Sequence, residues 1–267
     1  MDKTLLKILF HIEKNVKENL SPVFMCTSLM QFKLNGFFKK KKEIEIFLDE
    51  ILLIIKKYNQ DLIMPVFTNG FNNKNYLNLD KTSCWTGYIN EIFVRKKRVT
   101  RNLSSVCSFA FFGKNKLKLS KIKCKNIYGD KSVFQWLEKK NSLFLTLGLN
   151  CWNNPFVHRV EWVNKKLINY KKIEFSKGEI RLNSKNHDYE EKIWRRIEQP
   201  VQYPYYEVLY PHLKKNGLIA KKFKSVPVEI IKAKNFYKTY AKILKKDPFF
   251  CLKNRIKIRN HYGKKSN

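Results

Sequence analysis

The sequence lacks any C-x-x-C pair. Its six cysteines, at positions 26, 84, 107, 124, 151 and 251, are scattered. That excludes the spacing of a zinc knuckle or a thioredoxin-like motif, and the scatter fits reduced thiols in a cytoplasmic protein. No apolar run approaches the roughly 20 residues that cross a bilayer. The opening MDKTLLKILFHIEKNVKENL carries charges inside its apolar pattern. No small-residue cleavage site follows it, so it does not read as a secretory signal. Internal repeats and Gly/Ser linkers are also absent, which favours one domain. Acidic residues are scarce: 22 Asp and Glu stand against 55 Lys and Arg, for a formal charge of +33.

That charge suggests an anionic partner: nucleic acid, a membrane surface or a phosphorylated substrate. An A/T-biased coding sequence would produce the same mixture of lysine, asparagine, isoleucine and phenylalanine. The lysines run along the whole chain (Lys39–Lys42, Lys171–Lys172, Lys264–Lys265 among them) instead of forming one stripe. With 43% hydrophobic and 14% aromatic residues in 267, the chain has the material for a sizeable core.

The apolar spacing sets out the elements. Leu5, Ile8, Leu9 and Ile12 mark a helix face near the start. Pro22–Leu29 and Leu62–Thr68 read as strands around a helix at Glu43–Tyr58, an arrangement that predicts a parallel crossover. The proline in LIMPVFT predicts a bend or a sheet edge. Asn69–Ser83 reads as a long polar loop. Further strands are expected at Val106–Phe112 and Ser142–Leu149, and a hairpin or meander within Ile168–Arg181. Helices are expected at Thr86–Phe93, Val133–Lys139, Tyr189–Ile197, Val208–Lys215 and Lys234–Lys245, the last ended by Asp247-Pro248. The sum is one α/β domain over residues 1–253 with a mixed sheet, then a frayed basic tail, 254–267.

One stretch carries a chemical signal. LGLNCWNNPFVHRVEW (Leu147–Trp162) ends an apolar strand and contains H-x-x-E. With Asn154 as N-cap and Pro155 at the first helical position, His158 falls in the first turn and Glu161 on the same face. Alone, the pair reads more readily as a capping or packing histidine, and the second histidine of a zinc helix is missing.

Several blocks in order change that weighting. VFMCTSLMQFKLNG (Val23–Gly36), LIMPVFT (Leu62–Thr68), TGYINEIF (Thr86–Phe93), RNLSSVCSFAFFG (Arg101–Gly113), YGDKSVFQWL (Tyr128–Leu137), the H-x-x-E block and LKKDPFFCL (Leu244–Leu252) resemble the aminoglycoside 3-N-acetyltransferase, or antibiotic N-acetyltransferase, family. The resemblance implies a three-layer α/β domain with helices flanking a central mixed sheet. It implies an N-acetyltransferase using acetyl-CoA and no metal, with His158 as general base and Glu161 as its partner. Thr27, Ser28 and Leu29 after the first strand, Arg101 and Asn102, and Ser108 with Phe109 would hold coenzyme A; Phe67 and Thr68 would line the thioester end. The departures are Cys26 for a histidine, Val94 for an arginine, Asn102-Leu103-Ser104-Ser105 for serine-x-histidine-proline, and Pro155 for a threonine.

An imidazole suits the deprotonation of an attacking amine, because its pKa of roughly 6.5 lies near working pH. Cys26 and Cys107 as thiol nucleophiles are disfavoured, since both sit in apolar strands. His11, His187, His212 and His261 read as surface or structural. The charge balance disfavours a polycationic aminoglycoside as acceptor and favours an amino sugar on a nucleotide or in surface-polysaccharide synthesis. Two other readings stay open: a degenerate member that binds acyl-CoA without turnover, and a nucleic-acid binder using Trp152, Trp162 and Trp194. A homodimer is a further open option.

Overall fold

Residues 2–123, 125–197 and 200–263 are described by a computed structural model. Cys124, Gln199 at the start of the proline-rich turn, and Lys264–Lys265 lie outside the described residues. Helix α1 (Lys3–Asn19) buries Leu5, Ile8, Leu9 and Ile12, the face its spacing predicts. Strand β1 (Val23–Thr27), a short α2 (Met30–Leu34) and α3 (Lys41–Lys57) lead to β2 (Leu62–Pro65). β1 and β2 pair in parallel, as expected for strand–helix–strand. Then follow β3 (Tyr76–Asn78), α4 (Tyr88–Arg95), β4 (Thr100–Arg101), β5 (Phe109–Phe112), α5 (Lys116–Ser120), α6 (Val133–Lys139), β6 (Leu143–Leu147) and α7 (Val157–Val163). The chain continues through β7 (Lys171–Leu182), β8 (Lys185–Arg196), α8 (Tyr210–Lys215), β9 (Ile219–Phe223), β10 (Val226–Lys232), α9 (Ala233–Lys246) and α10 (Arg255–Gly263).

Seven strands form the central sheet in the order β4-β5-β2-β1-β6-β10-β9. β1 is parallel to β2 and β6, and the outer pairings are antiparallel, so the sheet is mixed. All of β1 is buried because each face meets a helical layer. Val23 and Met25 pack with α1 and α3. Phe24 and Cys26 pack with α6, α7 and α9. A strand covered on both faces has no need of polar alternation. β2 is a central strand, contrary to the edge its proline suggested. Pro65 is its last residue, where no ladder N–H is required. The β9–β10 hairpin completes one side of the sheet and had no counterpart among the sequence expectations.

A second sheet, β3-β7-β8, stands apart from the first. Here the sequence misleads. Expected as a helix, Tyr189–Ile197 is instead most of β8; expected as a hairpin or meander, Ile168–Arg181 is mainly the single 12-residue strand β7. The two pair antiparallel from Lys171↔Arg196 to Leu182↔Lys185. They are joined at Asn183 and Ser184, both with φ near +60°, the left-handed pair that a type I′ hairpin turn requires. Tyr189, Glu191 and Ile193 are buried while Glu190 and Lys192 are exposed. The period is two, but its middle buried position is a carboxylate, and Glu and Lys favour a helix locally. The tail also differs from expectation. α10 is a helix over Arg255–Gly263, with Ile258 and Tyr262 buried four residues apart on one face.

Candidate active site

β6 is followed by Gly148, whose φ is +72°. A Cβ there would lie 2.1 Å from the Ser28 carbonyl oxygen, so only glycine fits the close approach of the two strand ends. The chain then passes a single 3-10 turn, Cys151–Asn153, and enters α7. The helix starts two residues later than the sequence predicts. Asn154 Oδ1 accepts from the Phe156 N–H at 2.9 Å, capping the turn ahead of α7 instead of the helix itself. Pro155 is half-buried, and its carbonyl accepts the His158 N–H at 3.1 Å.

His158 Nδ1 is 3.0 Å from Glu161 Oε2. The His158 side chain is 32% exposed and that of Glu161 1%. Glu161 Oε1 accepts from the hydroxyls of Tyr206, at 2.8 Å, and Tyr240, at 3.0 Å. Burial pushes both phenols well above their ordinary value, so they stay neutral donors. The second oxygen, Oε2, also accepts from Lys171 Nζ at the start of β7. The Lys171 side chain is 3% exposed, and its ammonium lies 3.2 Å from His158 Nδ1. Burial pushes the Glu161 carboxyl up, but Lys171 and His158 more than reverse this and hold it below the usual carboxylate range. Burial, then the Lys171 charge, push His158 below its ordinary value against the pull of Glu161. Burial lowers Lys171 as well. The edge of Tyr128 packs on the imidazole, with ring centroids 5.5 Å apart. Arg159 braces that tyrosine through its carbonyl at 2.8 Å and binds Glu138 at 2.9 Å.

His158 opens into a cleft of about 560 Å³ beyond the carboxyl ends of the parallel strands, the usual place for a ligand in an open α/β sheet. Its walls are largely aromatic and apolar: Phe67, Trp85, Val106, Cys107, Trp152 and Tyr206, with Glu207 the one carboxylate among the lining residues.

Of the nine residues assigned to coenzyme A from the sequence, Phe67 is the one that lines this cleft. Thr27 ends β1, with its hydroxyl on Asn90 Oδ1 at 2.9 Å; Ser28 and Leu29 follow it half-buried. The Thr68 hydroxyl donates to the Ser105 carbonyl. Arg101 is 8% exposed. Its guanidinium makes four hydrogen bonds inside the protein, to the carbonyls of Leu79 and Val66 and twice to Ser108 Oγ. Asn102 Oδ1 accepts from the Phe109 N–H at 2.7 Å, and Phe109 is packed edge-on against Phe67. These four residues brace the cleft wall from behind. Cys26 is buried in the core, and burial raises its thiol pKa.

Three charged or phenolic partners escaped sequence reasoning: Lys171, Tyr206 and Tyr240. So did Glu191 of β8. This fully buried carboxylate accepts from the Ser104 hydroxyl at 2.8 Å, the Ser105 N–H at 2.9 Å, the Val106 N–H at 3.1 Å and the Ser105 hydroxyl. Ser104 and Ser105 are departures from the family pattern, and here they are the two hydroxyls that hold Glu191. Trp162 and Trp194 pack edge-to-face with centroids 5.4 Å apart, both buried. Two of the three tryptophans considered for stacking on bases therefore belong to the core.

The sequence pattern of the aminoglycoside 3-N-acetyltransferases matches residues 58–245. The chain belongs to that family. Solved structures agree in fold. AAC-IIIb, in a binary complex with CoASH, superposes with a TM-score of 0.67 at 10% identity, over 89% of this chain and 96% of that one. Sisomicin-bound AAC-VIa gives 0.69 at 12% identity, over 89% and 97%. YokD from Bacillus subtilis gives 0.63 at 16%, over 88% and 94%. No curated protein matches in sequence. Among the described residues no helix is long and apolar enough to cross a membrane.

Proposed function

We propose that this family member transfers an acetyl group from acetyl-CoA to an amine of an amino sugar, with His158 as general base. The observation that carries the reading is the His158–Glu161 contact at the mouth of the cleft. With Nδ1–H donated to Glu161, the Nε2 lone pair is left for the cleft, the role a carboxylate gives the imidazole of a serine-protease triad. When bound, acetyl-CoA supplies the electrophilic thioester carbonyl. His158 takes the proton that the amine loses as its nitrogen bonds to that carbonyl, and returns it to the departing sulfur. A base of this kind contributes roughly 10²–10⁴-fold.

The residues suit such a co-substrate. Phe67, Val106 and Cys107 offer an apolar wall for the thioester arm, and the half-buried Ser28–Leu29 segment after Thr27 offers its strand end for phosphate. Arg101, Asn102, Ser108 and Phe109 serve by fixing that wall.

The cleft supports an acceptor with few positive charges. Trp85, Trp152 and Tyr206 offer flat faces for a sugar ring, and Glu207 alone among the lining residues answers a cation. A nucleotide-linked or polysaccharide-linked amino sugar fits this better than an aminoglycoside polycation. Thiol release from acetyl-CoA, measured against a panel of both acceptor types, checks it: the account expects turnover of the former, and fast turnover of aminoglycosides alone would sink the acceptor assignment. A second reading, acyl-CoA binding without turnover, is favoured by Lys171, whose charge neutralises the carboxylate that His158 relies on.

A further inference from the structure

A histidine–carboxylate pair does not require a third ion, yet this one has a buried lysine. Lys171 Nζ, His158 Nδ1 and Glu161 Oε2 form a triangle. Nδ1 stands 3.0 Å from the oxygen and 3.2 Å from the ammonium, and the ammonium contacts the same oxygen. One carboxylate oxygen thus serves two donors. Without Lys171, the carboxylate and a neutral imidazole would sum to −1, and proton uptake by His158 would bring the site to zero. With Lys171 the resting sum is zero, and proton uptake takes it to +1 in a site where burial disfavours unbalanced charge.

We propose that Lys171 is a positioning residue that sets the basicity of His158 by sharing its carboxylate, so that His158 stays unprotonated in mildly acidic solution. This rests on the reading of His158 as the base. The charged and titratable groups around the ring support one direction. Glu161, from α7 itself, raises its pKa. Lys171 from β7 lowers it, as does Arg196, which pairs with Lys171 in the β7–β8 register. Tyr128 ahead of α6 and Tyr206 ahead of α8 pack on the ring, and Tyr240 from α9 reaches Glu161; burial keeps all three neutral. Glu207 lines the same cleft. The consequence for the reaction is a weak base, matched to an acceptor amine that reaches the cleft already uncharged.

The test reads the imidazole itself. Long-range ¹H–¹⁵N NMR of the full chain, with His158→Gln to assign the signal, gives the titration of His158 directly. The proposal expects the unsubstituted chain to titrate below the ordinary value of about 6.5. Lys171→Met should move the midpoint up by about one pH unit or more, while Lys171→Arg, which keeps the charge, should leave it low. The acid limb of kcat/KM against pH should rise by the same interval in Lys171→Met. Lys171→Gln, which keeps a donor to Glu161 without the charge, repeats the test if the methionine variant does not fold. A folded, uncharged variant whose His158 titrates as before would overturn the proposal. A chain that never turns over acetyl-CoA would end the acetyl-transfer reading and leave this titration result standing.

Discussion

The central sheet and the β7–β8 hairpin meet behind one cleft and support it by different physics. From the sheet, β6 delivers α7, and His158 and Glu161 with it, on a scaffold of apolar packing in which Phe24, Phe144, Phe156 and Phe236 interlock. From the hairpin come ions. Lys171 reaches the histidine–glutamate pair, and Glu191 gathers the Ser104–Val106 segment that leads into the cleft wall. An apolar scaffold tolerates small changes of shape with graded losses. A buried ion, by contrast, is held only as long as its partner is there. The sheet side should therefore yield to substitution gradually and the hairpin side abruptly.

The sharpest way to break that contrast is at the ion pair that joins the two regions. Glu161→Ala strands the Lys171 ammonium in the protein and should cost about 3–5 kcal/mol of stability by urea unfolding. Glu161→Ala combined with Lys171→Met should cost less than Glu161→Ala alone, because no charge is left unpaired. Simple additivity of the two would mean that hairpin and sheet are independent here. Next in size is Glu191→Ala, which leaves four donors from Ser104, Ser105 and Val106 without their acceptor. About 1–3 kcal/mol should be lost, and hydrogen exchange at the Ser105 and Val106 amides should accelerate while amides within β1 stay protected. Equal protection at both places would remove the hairpin's role in holding the wall. Smallest is Tyr240→Phe. It takes away one of two donors to Glu161 Oε1, so about 1 kcal/mol should go and kcat should fall a few-fold with KM for acetyl-CoA unmoved. A large rise in KM instead would place Tyr240 at the binding wall.

The same division explains what could be read from the sequence. β1, β2 and β6 announce themselves as short apolar runs, and α1 and α3 by their one-sided spacing, since burial on a regular lattice leaves a period. His158 and Glu161 are legible because three residues on a helix bring them together, and because the ordered blocks supply the family. Lys171 leaves no such trace. It is one of 55 Lys and Arg, and nothing within ten residues marks it as the one that is buried beside Glu161. Glu191 is hidden for a related reason: its carboxylate occupies the inward position of β8, where an apolar residue would have displayed the alternation. Arg101 was legible as important but not as internal, because two of its three acceptors, the Leu79 and Val66 carbonyls, lie on segments distant in sequence. Tyr206 and Tyr240 are two of 13 tyrosines; only the fold brings them to one carboxylate oxygen.

The central claim is that His158, set by Glu161, removes the acceptor's proton. Thiol release from acetyl-CoA, compared between the chain and a His158→Ala variant whose fold is verified by circular dichroism, tests it most directly. The account predicts a loss of roughly 10²–10⁴-fold in kcat/KM, with acetyl-CoA binding retained. A folded His158→Ala variant that acetylates the acceptor at the original rate would contradict it.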